Sequence, residues 1–304
     1  MASPLYAFKV HETSAGEEEE LQGLLTAQSE VKSLGVVKLA DPVRSIEERR
    51  ALAVMEQTTK KLEGEDAYVS GLLWREEDPS LPSNYDIVTR RLESLEKKFK
   101  NDPEMKERYA KSIQDDIGKG YMRKLSEEVC TDSKVTWYLP HRFVINPKKP
   151  DRLRRVYYAS AKFSGQSLND KMYTEPDYLS SLVGVLLRFC EGRIALAADV
   201  RKIYHMLRLR ESDQLAMRFL WRESPSEEPS VYQFQGTLFG EVSAPSRANY
   251  TMRRSADENW GDLPLAVKAV YKHFYMDDGL LFTYAREEAI ELRILRHSLS
   301  VDLN

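Results

Sequence analysis

Three aspartates at two places in the chain have the chemistry that metal-dependent phosphoryl transfer requires. Asp277 and Asp278 stand side by side between apolar residues, and Asp199 ends the apolar run that starts at Ile194. Two divalent ions about 3.5–4 Å apart can activate an attacking hydroxyl and hold a leaving pyrophosphate, and such ions prefer hard oxygen ligands. One carboxylate from a strand and two from a neighbouring hairpin tip can supply these ligands. Spacing alone does not predict that the two strands are neighbours.

Each of these residues also has an ordinary structural interpretation. Asp277-Asp278-Gly279 is a turn sequence that is typical of β-hairpins, and a single aspartate after a strand, such as Asp199, is common. Tyr204, separated from Asp199 by four residues, can be a core aromatic. The combination in one chain is therefore more specific than any of its parts.

The first half of the chain predicts helices. Residues 46–62 have a helical pattern, and 63–84 read as an irregular connection. Ser83 or Asn84 can cap the next helix, whose apolar stripe is Val88, Leu92, Leu95 and Phe99. Asp102 and Pro103 begin a further helix, whose apolar residues are Met105, Tyr109 and Ile113 and whose end is marked by Gly118 and Gly120.

From residue 135 the sequence mixes strands and helices. Strands are predicted over 135–139, 142–145, 153–158, 193–199, 214–221 and 231–239, with a turn over 146–151. A buried helix is predicted on Leu179, Leu182, Leu186 and Phe189, and further helices over 245–259 and 285–299. A hairpin is predicted over 270–284. Because helices and strands do not alternate strictly, the predicted fold class is α+β.

Composition favours an ordinary globular protein. Of the 304 residues, 42% are hydrophobic and 31% are charged, with a net charge of −3. No stretch reaches the roughly 20 apolar residues of a membrane span, and no signal peptide is evident. We therefore expect an intracellular, cytoplasmic protein that is not secreted and has no membrane contact. Cys130 and Cys190 form no metal-spaced cluster, which predicts reduced packing residues.

A basic cluster interrupts this balanced composition. It consists of Lys148, Lys149, Arg152, Arg154 and Arg155. Such a cluster is usually a solvated face, and binding of phosphate groups is the alternative.

Four ordered motifs resemble reverse transcriptases. Tyr275-Met-Asp-Asp278 is similar to their YxDD box, and Asp199-x4-Tyr204 to their first palm motif. The segment 238–245, with Gly240 and Pro245, resembles the loop and helix that position template and incoming nucleotide. The segment 154–160 resembles the fingers strand whose basic residue meets the triphosphate.

Closer similarity is to the Pol polyprotein of Pao/BEL-type LTR retrotransposons, over roughly residues 35 to 300. The segments that carry it are 71–74, 92–95, 137–147, 159–170 and 182–188. Tyr158 departs from the pattern, because the family usually has aspartate there. Phe239 differs from the glutamine of retroviral relatives but is common in LTR elements.

The resemblance implies an RNA-directed DNA polymerase that acts on a primer paired with an RNA or DNA template and uses deoxynucleoside triphosphates. Two Mg²⁺ ions, or Mn²⁺, are the implied cofactors. The implied catalytic residues are Asp199, Asp277 and Asp278, and Val200 joins them as a metal ligand. The implied nucleotide-binding residues are Tyr204, Arg154, Lys148 and Gly240, and the nucleic-acid-binding residues are Tyr275, Met276, Pro245 and Arg155.

The resemblance also implies how the chain is organised. A loosely ordered lead-in over 1–45 precedes a helical segment over 46–134, fingers over 135–190 and a palm with the metal site over 191–304. We expect the hand to lack its thumb, since only 26 residues follow Asp278. Tyr204 is implied to be a ring beneath the incoming sugar that excludes a 2′-hydroxyl.

Two other functions remain open. A catalytically inactive retrotransposon remnant would act only as a nucleic-acid-binding or protein-binding module. An RNA-dependent RNA polymerase usually has a second aspartate at the position of Tyr204 and Gly-Asp-Asp where this chain has Met276-Asp277-Asp278. The sequence therefore favours the reverse transcriptase over the RNA-dependent RNA polymerase.

Overall fold

The computed structural model describes residues 44–64, 67–128, 133–174, 178, 180–200, 204, 207–259, 264–292 and 301–303. The predicted lead-in over 1–45 lies almost wholly outside the described residues, and so do Cys130 and Leu179. The chain from Ser45 to Asn304 belongs to one unit by its backbone contacts.

Helices of the described chain are α1 Ile46–Thr58, α2 Tyr85–Lys100, α3 Pro103–Gly118, α4 Leu182–Phe189, α5 Glu211–Gln214, α6 Ala244–Asn259, α7 Pro264–His273 and α8 Arg286–Leu292, with a short 3₁₀ helix at Asn169–Lys171. The strands are β1 Lys60–Lys61, β2 Tyr68–Ser70, β3 Met122–Lys124, β4 His141–Asn146, β5 Lys149–Tyr157, β6 Ile194–Val200, β7 Leu207–Leu209, β8 Arg218–Trp221, β9 Ser230–Phe234, β10 Phe274–Tyr275, β11 Asp278–Thr283 and β12 Val301–Leu303. Helices and mainly antiparallel sheets are thus mixed, as predicted.

The helices predicted to start near Asn84 and at Asp102 are confirmed as α2 and α3, but their first residues are bound in different ways. At α3 the Asp102 carboxylate accepts a hydrogen bond from the Met105 amide at 2.9 Å, which caps the helix. Asn84 precedes α2 but its side chain makes no cap bond. Instead Asn84 Nδ2 donates to the Tyr138 carbonyl at 2.7 Å, and Asn84 Oδ1 accepts from the Tyr138 amide at 3.0 Å. The asparagine therefore joins α2 to a distant segment.

The described residues form three hydrophobic clusters, and the two larger ones pack against the sheets. The larger core packs α2 and α3 against the hairpin β4–β5 and the sheet β3-β9-β8, and it contains the fully buried rings of Tyr109, Trp137, Phe219 and Trp221. The second core packs α6 and α7 against the four-stranded sheet β10-β11-β6-β12. Small residues such as Ala248, Ala256 and Ala269 line the second core, so these helices can approach the sheet closely.

Several predicted elements are wrong in extent. Residues 135–139 form no strand, and only an isolated bridge joins Tyr138 to Arg218. The first helix ends at Thr58, the chain is already in β5 at Lys149, and Gln214 ends the short helix α5 rather than starting a strand. The predicted hairpin over 270–284 begins only at Phe274, because α7 extends to His273. Of the predicted helix over 285–299, the described part is α8.

The prediction of a buried α4 is also wrong. Leu182 and Leu186 are largely exposed, and Val185 is the buried residue of this helix. A periodic apolar stripe predicts a helix but cannot show whether a partner covers it. Cys190, which follows α4, is exposed and free rather than a packing residue. None of the described helices has the length and apolar character that a membrane span requires.

Candidate active site

The sheet register brings the predicted carboxylate positions together. Strand β11 pairs with β6 in antiparallel fashion, and Asp278 is directly opposite Asp199. Opposed Cα atoms in such a ladder are about 4.5–5.5 Å apart. The Val200 amide donates to the Asp277 carbonyl at 2.9 Å, which ties the tip of the hairpin to the end of β6. Backbone pairing therefore gathers the three aspartates at one end of the sheet.

The side chains of these aspartates differ in how far they are described. Asp277 is half-buried and Asp278 is exposed, whereas the side chain of Asp199 lies outside what the structure describes. Among the described side chains, no group of three or more His, Cys, Asp or Glu can hold a metal ion. The expected distance between the Asp199 and Asp277 carboxylates, about 6 Å or less for ligands of a shared ion pair, thus stays a prediction.

A fourth aspartate enters the same register. Strand β12 pairs with the other edge of β6 and sets Asp302 opposite Asp199. The sequence provides no signal for this position, because a three-residue strand after a predicted helix has no periodicity to detect.

The hairpin turn that presents Asp277 is tight. Its two turn residues are Met276 and Asp277, and Met276 has a φ of 55°. Positive φ in a non-glycine residue costs about 1–3 kcal/mol and occurs often at functional sites. The turn is therefore not the Asp-Asp-Gly turn of the simpler interpretation, since Asp278 and Gly279 already belong to β11.

Gly279 permits the close packing beneath this turn. A Cβ at Gly279 would lie 2.7 Å from the Phe274 ring and 3.1 Å from Ala198 Cβ. No larger residue fits without moving β10 or β6. The glycine after the two aspartates is thus explained by the approach of the strands rather than by turn chemistry.

Tyr204 is buried in the second core, next to a ring that is exposed at the surface. Its side chain is 5% exposed, and its ring meets the Phe239 ring edge-on with centroids 4.2 Å apart. Phe239 is 63% exposed. Tyr204 is therefore buried, as the core interpretation requires, yet it supports an exposed ring beside the predicted nucleotide loop.

The loop 239–243 touches the end of the β4–β5 hairpin. Gly240 has a φ of 98°, and a Cβ there would lie 3.2 Å from the Tyr157 carbonyl. Asn169 Nδ2 donates to the Gly240 carbonyl at 3.0 Å, and Asn169 Oδ1 accepts from the Val242 amide at 3.2 Å. Asn169 has no sequence signal for this role, because its partners are distant in sequence and asparagine is common in turns.

A buried ion pair supports the same loop from below. Glu241 and Arg247 have fully buried side chains, and their charged atoms are 2.6 Å apart. Glu241 also accepts from the Ser243 amide at 2.8 Å, and Arg247 donates to Thr237 Oγ1 at 3.0 Å. The helix α6 begins directly after this loop, and Pro245 is its second residue. Removing one partner of a buried pair typically costs about 3–5 kcal/mol.

The basic residues predicted for phosphate binding divide between two faces of the β4–β5 hairpin. Arg154 is exposed, as is Lys148 in the turn. Arg155 points inward, where it forms an ion pair with Asp116 of α3 and is 8% exposed. Arg155 differs from Arg154 in this respect because in a strand neighbouring side chains point to opposite faces, and its assignment to nucleic-acid binding stays a prediction.

The register also places Tyr275 beside the aspartates. Tyr275 is half-buried in β10 and is opposite Asp278. The end of the β4–β5 hairpin approaches the loop 239–243, where the Tyr157 carbonyl faces Gly240.

The similarity of this chain to known proteins is to solved structures. No protein family and no curated protein matches the chain. The foamy viral protease-reverse transcriptase in complex with an RNA/DNA hybrid is similar with a TM-score of 0.49 and 13% identity, over 84% of this chain and 30% of that one. A selenomethionine-labelled mutant of the prototype foamy virus protease-reverse transcriptase gives the same score and identity, over 93% of this chain and 29% of that one. The chain thus spans about 30% of their length, and a likeness of this extent establishes neither family nor activity.

Proposed function

We propose that the chain forms the fingers and palm of an RNA-directed DNA polymerase of the Pao/BEL type. The observation that carries the proposal is the pairing of β6 with β11, which sets Asp278 opposite Asp199 and binds the Asp277 carbonyl to the Val200 amide. Two separate motifs thereby meet at one end of one sheet. The proposed substrates are a primer on an RNA or DNA template and deoxynucleoside triphosphates.

The donor set fits hard divalent cations. Asp199, Asp277 and Asp278 supply carboxylates, and the proposal adds Val200 as a further ligand; oxygen ligands of this kind suit Mg²⁺ or Mn²⁺. Two such ions, held by these residues, would supply activation of the primer hydroxyl and stabilisation of the leaving pyrophosphate. The tight turn at Met276 holds Asp277 at the hairpin tip.

Other residues of the chain are assigned to positioning. In the proposal, Tyr204 and Phe239 shape the sugar-binding surface, and Gly240 lets the backbone approach the new base pair. Arg154 and Lys148 neutralise triphosphate or template charge. Tyr275, Met276 and Pro245 line the path of the primer and template.

Primer extension tests the proposal. The purified chain is given a labelled primer on an RNA template, with magnesium or with a chelator. We expect magnesium-dependent extension that falls at least about 100-fold in Asp277→Asn, since a charged metal ligand is lost. Asp115→Asn, which changes an exposed carboxylate on α3, is the matched control and should extend normally.

Two results contradict the proposal. One is the absence of magnesium-dependent extension by the unaltered chain, and the other is equal extension by Asp277→Asn. Thermal melting of both variants shows whether a lost activity reflects lost folding, because the Asp277 backbone carbonyl that binds β6 is unchanged by the substitution.

A further inference from the structure

A cavity of about 310 Å³ lies where the end of α2, the start of α3 and the loop after β8 meet. Lys100 lines it from α2, Lys106 from α3 and Pro225 from the loop. None of the three aspartates of the candidate active site is among its described lining residues. The volume is at the small end of ligand-binding sites, which span about 300–1,000 Å³.

The floor and the walls of this cavity are apolar. Phe99 and Trp221 form the floor, where their rings meet edge-on with centroids 6.1 Å apart. The two residues are only 3% and 1% exposed, so the floor is narrow. Pro103 and Pro225, both exposed, form the walls. A narrow floor below two rigid proline rings suits a flat aromatic group, which can meet the rings in edge-on or offset contact.

One pair of charges at the cavity is already neutralised. The Arg222 guanidinium donates from Nε to Glu96 Oε1 at 2.7 Å and from Nη2 to Glu96 Oε2 at 2.9 Å. The two side chains are 11% and 10% exposed. Because this bidentate pair satisfies both charges, neither partner is left to attract a charged ligand.

The other charged lining residues are Lys100, Lys106 and Glu223, so cations are in excess. Lys106 Nζ donates to the Glu223 carbonyl at 2.6 Å, which holds the ammonium at the cavity and leaves two of its three donors. Lys100 is exposed at the end of α2. Glu223 Oε1 accepts from Trp221 Nε1 at 3.3 Å, so this carboxylate is bound to a floor residue. Two ammonium groups are therefore available to an anion.

We propose that this cavity binds a small aromatic carboxylate. The flat ring lies on the floor between Pro103 and Pro225, and the carboxylate accepts charge-assisted hydrogen bonds from Lys100 and Lys106. An apolar cavity with a few convergent polar groups is the usual form of a small-molecule site. Binding here needs neither metal nor primer, so it holds or fails independently of primer extension.

Isothermal titration calorimetry of the full chain with matched probes tests the ligand class. Naphthoate has a flat ring and a carboxylate, naphthamide has the same ring without the charge, and acetate has the charge without the ring. We expect naphthoate to bind with a Kd below about 1 mM, as an efficiently bound ligand of this size does. Naphthamide should bind at least about 10-fold more weakly, because the charge-assisted hydrogen bonds are lost. Acetate should not displace naphthoate.

Single variants of the two lysines test where the carboxylate lies. Lys100→Gln and Lys106→Gln should each weaken naphthoate binding at least about fivefold. Lys98→Gln is the matched control, because Lys98 is also an exposed cation in the last turn of α2 but does not line this cavity. Its loss should change naphthoate binding less than about twofold, since solvent and salt screen a distant surface charge.

The wall is tested by Pro225→Ala, with Pro229→Ala in the same loop as its control. Loss of the Pro225 ring should weaken naphthoate binding at least about threefold, because apolar contact is removed, and Pro229→Ala should not. Absence of saturable naphthoate binding below about 1 mM, equal binding of naphthamide, or an equal loss in Lys98→Gln overturns the proposal. Thermal melting of each variant shows that it is folded, so a loss of binding reports on the cavity.

Discussion

The contact between Tyr204 and Phe239 joins a buried ring to an exposed one. Tyr204 is 5% exposed and belongs to the second core, while Phe239 is 63% exposed on the loop that Gly240 continues. Stability alone can no longer separate the two interpretations of Tyr204, because a buried ring is costly to remove whatever its role. The selectivity for sugars separates them.

Tyr204→Ala tests the steric role. We expect the ratio of ribonucleotide to deoxynucleotide incorporation to rise, because removal of the ring relieves the clash with a 2′-hydroxyl. The free energy of unfolding should fall by about 3–5 kcal/mol, as for other buried aromatic truncations. Both are measured on the same preparation, by competitive incorporation and by urea unfolding.

Phe239→Ala is the matched control for this change. Its exposed ring should cost little stability, but loss of the contact frees the Tyr204 ring and should shift the ratio in the same direction by a smaller amount. An unchanged ratio in Tyr204→Ala, with the full loss of stability, would identify Tyr204 as packing only.

The loop 239–243 is held from two sides, by the 3₁₀ helix and by α6. Asn169 binds its backbone from the 3₁₀ helix, and the Glu241–Arg247 pair supports it from α6. The 3₁₀ helix is itself fixed by reciprocal bonds, from the Ser167 amide to Asp170 at 2.9 Å and from the Asp170 amide to Ser167 at 3.2 Å. Asn169 is therefore placed to position the loop rather than to touch a substrate.

Asn169→Ala should raise the KM for deoxynucleotides more than it lowers kcat. Both hydrogen bonds to the loop are lost, so the loop that the proposal assigns to nucleotide positioning is less well held. The expected loss of stability is about 1–2 kcal/mol for two hydrogen bonds of this kind. Steady-state single-nucleotide extension gives both constants.

Asn84→Ala is a close control, because Asn84 makes the same two-bond contact with the Tyr138 backbone. It should lower stability at least as much, since Asn84 is almost fully buried, and leave the KM unchanged. Equal changes of KM in both variants would show that general loss of stability, not the loop contact, alters the affinity.

A buried histidine in the largest core makes the stability of the folded protein depend on pH. His141 Nε2 donates to the Leu220 carbonyl at 2.8 Å, so its Nδ1 accepts from the Tyr109 hydroxyl at 2.5 Å. Burial lowers the pKa of His141 to about 4, with a further lowering from the nearby Arg155 guanidinium. Burial likewise lowers the pKa of His273 to about 4, beside Arg188 and Lys268.

Stability should therefore fall on acidification from about pH 6.5 towards pH 4. In that range the unfolded chain takes up a proton at each histidine that the folded chain does not, so the free energy of unfolding rises with pH and levels above the unfolded pKa. Each shift contributes about 2 kcal/mol between pH 7 and pH 5. Urea unfolding at both pH values measures the difference.

His141→Gln should reduce this difference by about 2 kcal/mol, because glutamine does not titrate. His273→Gln, measured in parallel, separates the contribution of the second histidine from that of the first. A pH dependence that is unchanged in both variants would mean that other groups control acid unfolding.

Local chemistry explains what could be predicted from the sequence. The apolar period of α2 and α3, the Asp102 cap and the start of α6 near Pro245 depend on residues within about one or two helical turns, which the sequence contains directly. The pattern of aspartates also predicted which residues are the candidate metal ligands. These features do not require knowledge of any distant segment.

Pairing between distant segments decided the rest. The register that sets Asp278 opposite Asp199, the inward turn of Arg155 to Asp116 and the exposure of α4 all depend on which neighbour a strand or helix meets. Asn84 was predicted only as a helix cap and Asn169 was not predicted at all, yet each uses its side-chain amide to bind a remote backbone. Local residues encode the elements and the candidate chemistry. Their adjacency arises only when the chain packs, because long-range burial and register are properties of packed partners rather than of local periodicity.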